Sequence, residues 1–536
     1  MSLQSLEDPS SAARQSKLAI DFATAALRSG DLIEAERLLR GHLVKAPYDA
    51  NVLAKLAEVV ERDGRVEQAT LLLRRAADAE PSGARYVTLL RHLWRHAGGE
   101  AILAEIAVLP PAIRGLLDVQ WMEAQTFGAL GDHAREIEIY EDLTLLAPQN
   151  EALWKTLGDA LKTVGRFEDA VAALRRAIEC RPTYGEAYWT LANFKAFRFT
   201  DADLGAMRRA LKKNLADGDA LHFQFALGKA LEDRKMYQQS FRHYAAGNQI
   251  RASAIRPAEM FVTPFVTAAV ATFDSDFFGQ RAGGFPAADP IFVVGLHRSG
   301  STLIEQILAT HPMIEGTTEI MVMQQFWNRL TRAGAASGRG PFDELAGLDA
   351  KALRELGQEY MDRTRHFRAT DKPYFVDKLP ANWMNLGLIR LALPNAKIID
   401  ARRHPMACGF SNFKQNYGSG ILFSYSQESI GAFYRDYWRF MTHFDKVQPG
   451  TVHHMLNERL IEDPEGETRR MLDFIGVPFD AACLEFHKNK RAVRTPSAEQ
   501  VRRPINREGM DQWRHYEPWL GALKQALGPA FEQWDQ

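Results

Sequence analysis

Glycines and prolines in the first half of the chain recur at one interval: Gly30 and Gly64, Gly131 and Gly165, Pro47 and Pro81, and Pro148 and Pro182 are each 34 residues apart. The segments between them are similar, with "GDLIEAERLLRGHLVKAP" answered by "GRVEQATLLLRRAADAEP" and "GDHAREIEIYEDLTLLAP" by "GRFEDAVAALRRAIECRP". A period of this length is one helix–turn–helix unit, too small to bury its own apolar face, so the units must stack into a solenoid with a concave groove. Residues 151–184 are the most regular unit: small Gly158 and Ala170 let paired helices approach, while Trp154, Leu157 and Leu174 fill the gap, followed by Ala177 and Pro182. Residues 84–116, which contain "VLPPAIRG", break the pattern, so one unit is degenerate. Residues 219–251 are expected to be a last unit or cap. Such a groove serves either to recognise a peptide or protein partner or to support the neighbouring domain.

After residue 252 the composition changes. The stretch over 253–288, a candidate helix followed by a Gly/Pro-rich turn region, reads as a linker, and a different signal opens at "IFVVGLHRSGSTLIEQILATHP". "IFVV" is a short β-branched run, the mark of a buried strand, and Leu303, Ile304, Ile307 and Leu308 follow at helical spacing. A strand, a glycine-bearing turn and a helix N-terminus form an anion site, because backbone N–H groups and the helix dipole converge there. Gly295 and Gly300 have the separation of a nucleoside triphosphate loop, but Ser301 stands where that loop needs lysine. Arg298 supplies a planar, bidentate cation instead. With Ser299, Ser301 and Thr302 beside it, the loop suits a single phosphate or sulfate group rather than a metal-bound triphosphate.

The theme recurs. "AKIIDARRHP" is a second apolar strand ending at Arg402 and Arg403, with Ser411 two turns along the following helix, and "YFVDKLPANW" is a third, ending at Asp377 and Lys378. Open α/β sheets place ligands at the carboxyl ends of their strands, so three such ends bearing cations describe a pocket for a ligand with several anionic groups. A basic stretch over 488–514 reads as an ordered loop, broken by Pro496, Pro504 and Gly509.

The remaining composition sets bounds. Lys and Arg number 66 against 67 Asp and Glu, a net charge of −1, which gives no global attraction to nucleic acid or to a membrane surface. Cys180, Cys408 and Cys483 are far apart, without metal-ligand spacing, and read as thiols of a reducing compartment. Neither a signal-type leader nor a membrane-length apolar run is visible. The expectation is a cytoplasmic protein.

The repeats resemble tetratricopeptide repeats, and the second half resembles the sulfotransferases that use 3′-phosphoadenosine 5′-phosphosulfate (PAPS), most of all tyrosylprotein sulfotransferases and proteins joining such repeats to a sulfotransferase domain. "GLHRSGSTLIEQILATHP" is similar to the family's 5′-phosphosulfate loop, with His297 in place of a proline. "RRHPMACGFS" is similar to its 3′-phosphate motif, and "REGMDQW" to its C-terminal phosphate-wrapping element, with Glu508 in place of a lysine. The resemblance implies an all-α tetratricopeptide solenoid over 16–252, the linker over 253–288, and an α/β P-loop-like domain with a mainly parallel sheet over 289–536. It implies PAPS as co-substrate, adenosine 3′,5′-bisphosphate as product, and no metal.

By the same resemblance, Arg298, Ser299, Gly300, Ser301, Thr302, Arg403, Ser411, Arg507 and Gly509 hold the nucleotide, with Ser497 the approximate match for a further serine. The lysine expected near Gln512 is missing. Arg298 and Lys378 meet the bridging oxygen, and the base that sulfuryl transfer needs near the acceptor falls on Glu319. Glu315, His297 and His404 are the competitors. The acceptor is a hydroxyl; the resemblance points to a protein or peptide, tyrosine above all, presented by the groove, with carbohydrate, lipid and small-molecule hydroxyls open. Two other readings are a P-loop kinase or NTPase, which would need the lysine displaced by Ser301, and a repeat scaffold carrying an inactive enzyme domain.

Overall fold

A computed structural model of the chain describes residues 9–194, 196–418, 420–489, 491, 500–507 and 509–535. The chain forms two compact units, Met1–Arg181 and Pro182–Gln536. The first is helical. Hairpins such as Ala50–Arg62 with Val66–Ala79, and Glu151–Val164 with Phe167–Cys180, follow the 34-residue period. Gly30, Gly64, Gly131 and Gly165 all sit at φ between 81° and 92°. Each closes the turn inside its hairpin in the left-handed conformation that glycine adopts without a Cβ clash. The reading of Gly158 holds: a Cβ there would lie 2.8 Å from Leu174 Cγ, so the helix pair closes to contact. The irregular segment also falls where the sequence put it. Pro110 and Pro111 end the helix Gly99–Val108 and leave only the turn Pro111–Arg114 before Leu117–Leu130 begins, because proline removes a donor and blocks helix continuation.

The second unit is an α/β domain preceded by helices. Its sheet has five parallel strands, β1 (Pro290–Gly295), β2 (Ile314–Gly316), β3 (Tyr374–Lys378), β4 (Lys397–Arg402) and β5 (Val452–Leu456), in the order β2-β3-β1-β4-β5. Every residue of β1 is buried, as expected for the central strand of a parallel sheet covered on both faces. Ile291, Val293, Ile304, Ile307, Ile399 and Met455 contribute to the core on one face. The sequence identified β1, β3 and β4. It missed β2, which is three residues long, and β5, whose "VHHML" has no apolar run.

The division between the units departs from the expected boundaries. The helices Asp217–Asp233 and Tyr237–Ala252, assigned to the repeat array, belong to the sheet-bearing unit. Glu232 on the first of them accepts from Lys414 Nζ at 3.1 and 3.2 Å, from Gln512 Nε2 at 2.8 Å and from Tyr516 at 3.2 Å. Ser240 Oγ lies 2.9 Å from the same Tyr516 hydroxyl, and Asn248 donates to the Phe413 carbonyl at 2.7 Å. Buried polar contacts of this density cannot be left unmade, so these hairpins are part of the domain's core. Nor are residues 253–288 an open linker. Thr263–Thr272 is a helix, and Phe273 is buried against Phe440 and Phe342. The helix allowed for in this stretch is present, and it packs on partners some 170 residues away that no local pattern reveals.

Candidate active site

The carboxyl end of β1 leads into the loop 296–300 and the helix Ser301–Thr310. Two residues hold this loop in left-handed conformations, Arg298 at φ 70° and Gly300 at φ 104°. Such a conformation costs an arginine about 1–2 kcal/mol and persists only where the surroundings impose it. Those surroundings come from the helix after β4, Pro405–Phe413. Asn412 Nδ2 donates to the His297 carbonyl at 2.8 Å, and Cys408 Sγ to the same oxygen at 3.3 Å. Burial pushes the Cys408 thiol up to about 12, so it acts as a weak donor and not as a nucleophile. Ser299 Oγ closes the turn on the Leu296 carbonyl at 2.7 Å.

The cations expected from two separate motifs form one cluster. Arg298 Nε donates to Ser411 Oγ at 3.0 Å, and Arg403 Nη1 donates to the Arg298 carbonyl at 3.0 Å. Arg403 Nη2 donates to the Gly509 carbonyl, and Tyr434 holds the Arg403 carbonyl at 2.7 Å. Arg403 Nε is buried and makes no hydrogen bond among the described residues. A buried cationic donor without an acceptor is a costly arrangement and is the donor chemistry a bound phosphate would satisfy. The neighbouring Arg402 has another fate. Strand alternation turns it toward Asp400, 3.1 Å away, in a network with His454, so this arginine is structural.

The cluster borders a cavity of about 180 Å³ whose lining includes Arg298, Gly300, Ser301, Thr302, Arg403, Ser411 and Gly509. The nucleotide-binding residues expected from β1 and β4 therefore converge, Ser299 apart, whose hydroxyl serves the turn. Arg507 does not join them. It is exposed, with Nη2 3.4 Å from Glu462 Oε1, and Arg503 lines the cavity in its place. Ser497 lies outside the described residues. Lys414 and Asn457 also line the cavity and were missed. Lys414 sits three residues after Ser411, beside Gln512, where a cation was expected and absent. Asn457 follows β5, and its Oδ1 would lie 2.6 Å from a Cβ at position 300.

At the end of β3 the two charges part, one to each face of the sheet. Asp377 accepts from Tyr360 at 2.8 Å in the core, and burial raises it to about 7. Lys378 Nζ reaches Glu319 Oε1 at 2.5 Å and lies 3.9 Å from Glu305, which Arg491 holds at 2.6 Å. Glu319 is half-exposed at 49 %, whereas the Lys378 side chain is 3 % exposed. The competing base Glu315 is occupied: its Oε1 accepts from Ala369 N at 2.6 Å and Thr370 N at 3.0 Å, and the residue is buried. His404 is stacked on Trp513, its Nδ1 caps the following helix through Met406 N at 3.2 Å, and burial pushes it down to about 4. His297 packs edge-on to Tyr417. Burial pushes it down to about 4 against the opposing charge of Glu319.

A parallel sheet with an arginine-bearing glycine loop after its central strand, and an Arg–Ser pair after the next, defines an α/β domain of the P-loop-like kind. Residues 290–481 match the sequence profile of the sulfotransferase family, and residues 151–194 that of the tetratricopeptide repeat. An uncharacterized protein of Aquifex aeolicus is 26 % identical over 528 residues, spanning 94 % of this chain and 68 % of its own length. A putative protein-tyrosine sulfotransferase of Caenorhabditis briggsae is 24 % identical over 230 residues, 42 % of this chain and 80 % of that protein. Among solved structures, the sulfotransferase domain of the Synechococcus PCC 7002 olefin synthase is 22 % identical with a TM-score of 0.33, over 44 % of this chain and 90 % of that domain. The chain thus joins tetratricopeptide repeats to a domain of the sulfotransferase family. No helix among the described residues is long and apolar enough to cross a membrane.

Proposed function

We propose that the sheet-bearing unit moves a sulfuryl group from PAPS to a hydroxyl of a protein or peptide acceptor, with tyrosine the first candidate. The observation that carries this reading is the shared cluster of Arg298, Ser411 and Arg403, with the unused Arg403 Nε donor beside a polar cavity. Two anion-binding strand ends in one pocket suit a nucleotide with phosphate at both 3′ and 5′ positions. Arg403, Ser411 and Lys414 serve the 3′-phosphate, while the loop N–H groups of 300–302 and Arg298 serve the 5′ side.

In the transfer, the acceptor oxygen forms a bond to sulfur as the bond from sulfur to the bridging phosphate oxygen breaks, and that oxygen leaves with the electron pair. Glu319 takes the hydroxyl proton. Lys378 and Arg298 stabilise the charge that grows on the bridging oxygen, so positioning and electrostatics carry the catalysis, as in phosphoryl transfer. The name of the Caenorhabditis relative supports a tyrosine acceptor, and tetratricopeptide repeats suit presentation of a peptide.

Calorimetric titration with adenosine 3′,5′-bisphosphate beside Mg·ATP tests the donor. Tight binding of the bisphosphate with weak ATP supports the reading; the reverse order returns the domain to the kinase class. Transfer of labelled sulfate from PAPS to tyrosine-containing peptides then tests the acceptor.

A further inference from the structure

The helix Gly83–His96 of the first unit, where the repeat pattern begins to fail, carries histidines at 92 and 96, one turn apart and on one face. Glu61, near the end of the helix Ala50–Arg62, meets both. His92 Nδ1, His96 Nε2 and a carboxylate oxygen of Glu61 can stand within 4.8 Å of one another.

Proton positions sharpen the picture. His92 is fully buried, with Nε2 2.9 Å from Thr70 Oγ1. The Thr70 hydroxyl also lies 3.0 Å from the Val66 carbonyl, and when it donates there its oxygen accepts from an imidazole protonated on Nε2. In that tautomer the lone pair of Nδ1 faces Glu61 Oε1 at 3.3 Å, and among the described residues Nδ1 makes no hydrogen bond. His96 Nε2 lies 2.7 Å from the same carboxylate oxygen. Two acceptors facing each other inside a protein repel unless a cation stands between them.

We propose that Glu61, His92 and His96 bind a divalent transition-metal ion of the zinc class. Imidazole and carboxylate donors suit zinc rather than magnesium or calcium. Tetrahedral zinc with bonds of about 2.0–2.2 Å places its donors roughly 3.3 Å apart; His92 and Glu61 already stand at 3.3 Å, whereas His96, 2.7 Å from Glu61 and with all three ligand atoms within 4.8 Å, must turn its exposed ring to complete the set. Water takes the fourth position. Arg95 now holds the site's positive charge, its Nη1 2.7 Å from Glu61 Oε1. Its side chain is 58 % exposed, so it can swing into solvent as the ion enters and acts as a competitor. The metal pins two consecutive hairpins together, Glu61 lying on the first and both histidines on the helix Gly83–His96 within the irregular segment.

The full chain, stripped with chelator, is titrated with zinc by calorimetry and with cobalt(II) by visible absorption. One zinc per chain at this site and a tetrahedral cobalt spectrum are expected. His96→Ala should weaken zinc by more than about tenfold, since loss even of an outer-shell partner weakens a metal about 10–100-fold. Arg95→Ala should tighten it about two- to fivefold by removing an exposed ion-pair competitor. Zinc uptake by wild type no tighter than by His96→Ala, or Arg95→Ala binding no tighter than wild type, overturns the proposal.

Discussion

Arg403 donates to the backbone carbonyl of Arg298 across 3.0 Å, although the two residues are 105 positions apart. One arginine thus braces the strained loop that carries the other, and the two strand ends border one cavity. Arg403→Ala should weaken adenosine 3′,5′-bisphosphate by about 10–100-fold, the range for charge-assisted hydrogen bonds of about 1.5–3 kcal/mol. Calorimetry reads this directly, and an affinity equal to wild type would remove Arg403 from the pocket.

Glu319 and Glu315 are separated by the same kind of measurement. Glu319→Gln should lower kcat about 10²–10⁴-fold with bisphosphate affinity nearly unchanged. Glu315→Gln should mainly lower the melting temperature, because weakening its carboxylate contacts to Ala369 and Thr370 N–H destabilises a buried corner by about 1–3 kcal/mol. Reversed effects would transfer the base to Glu315.

Gly300→Ala tests the loop itself. The substituted residue meets a left-handed φ of 104° and would place its Cβ 2.6 Å from Asn457 Oδ1. Strain of about 1–2 kcal/mol plus that contact should weaken bisphosphate binding by tenfold or more and lower the melting temperature slightly. Full binding by the variant would show that loop conformation is immaterial.

The buried Glu232–Lys414 pair predicts a boundary. Burial lowers Lys414 below the usual lysine range, with Glu232 opposing, so Glu232→Ala strands an ammonium and should destabilise the unit by about 3–5 kcal/mol. For the same reason a chain beginning at residue 182 should fold, while one beginning at 253 should not. Far-UV circular dichroism and thermal melts of the two fragments decide the matter.

His454 gives the unit a pH dependence. Burial alone would push it down, but the hydrogen bonds it donates to the Asp400 and Asp445 carboxylates outweigh burial and raise it to about 9. A histidine whose pKa is raised on folding contributes stability that is fully present below about 6.5 and is lost as pH rises through 9. The contribution is on the order of 3 kcal/mol. Denaturant melts should show stability falling over that window, and His454→Gln should flatten it.

What was legible in the sequence was whatever local chemistry repeats. The 34-residue period fixed the helical hairpins, because turn glycines and close-packing small residues must recur with the unit. The strand–loop–helix at 290–310 was equally legible, since β-branched residues, glycines and an arginine are dictated by backbone geometry and charge within a short span. Even the resemblance of three separated motifs required only their order.

Tertiary structure decided the rest. The sequence resemblance already chose Arg403 over Arg402, but the partners that hold each, the Arg298 carbonyl for one and Asp400 for the other, appear only in the fold. That Arg503 and Lys414 replace Arg507 and the missing lysine follows from how a C-terminal loop and a helix end fold over one cavity. The assignment of residues 217–252 to the sheet-bearing unit rests on Glu232, a glutamate that looks like any other solvated helix residue until Lys414, Gln512 and Tyr516 arrive from 182, 280 and 284 positions away. Local propensity is written residue by residue. Burial of a charge is a property of the partners that surround it, and only the folded chain brings them together.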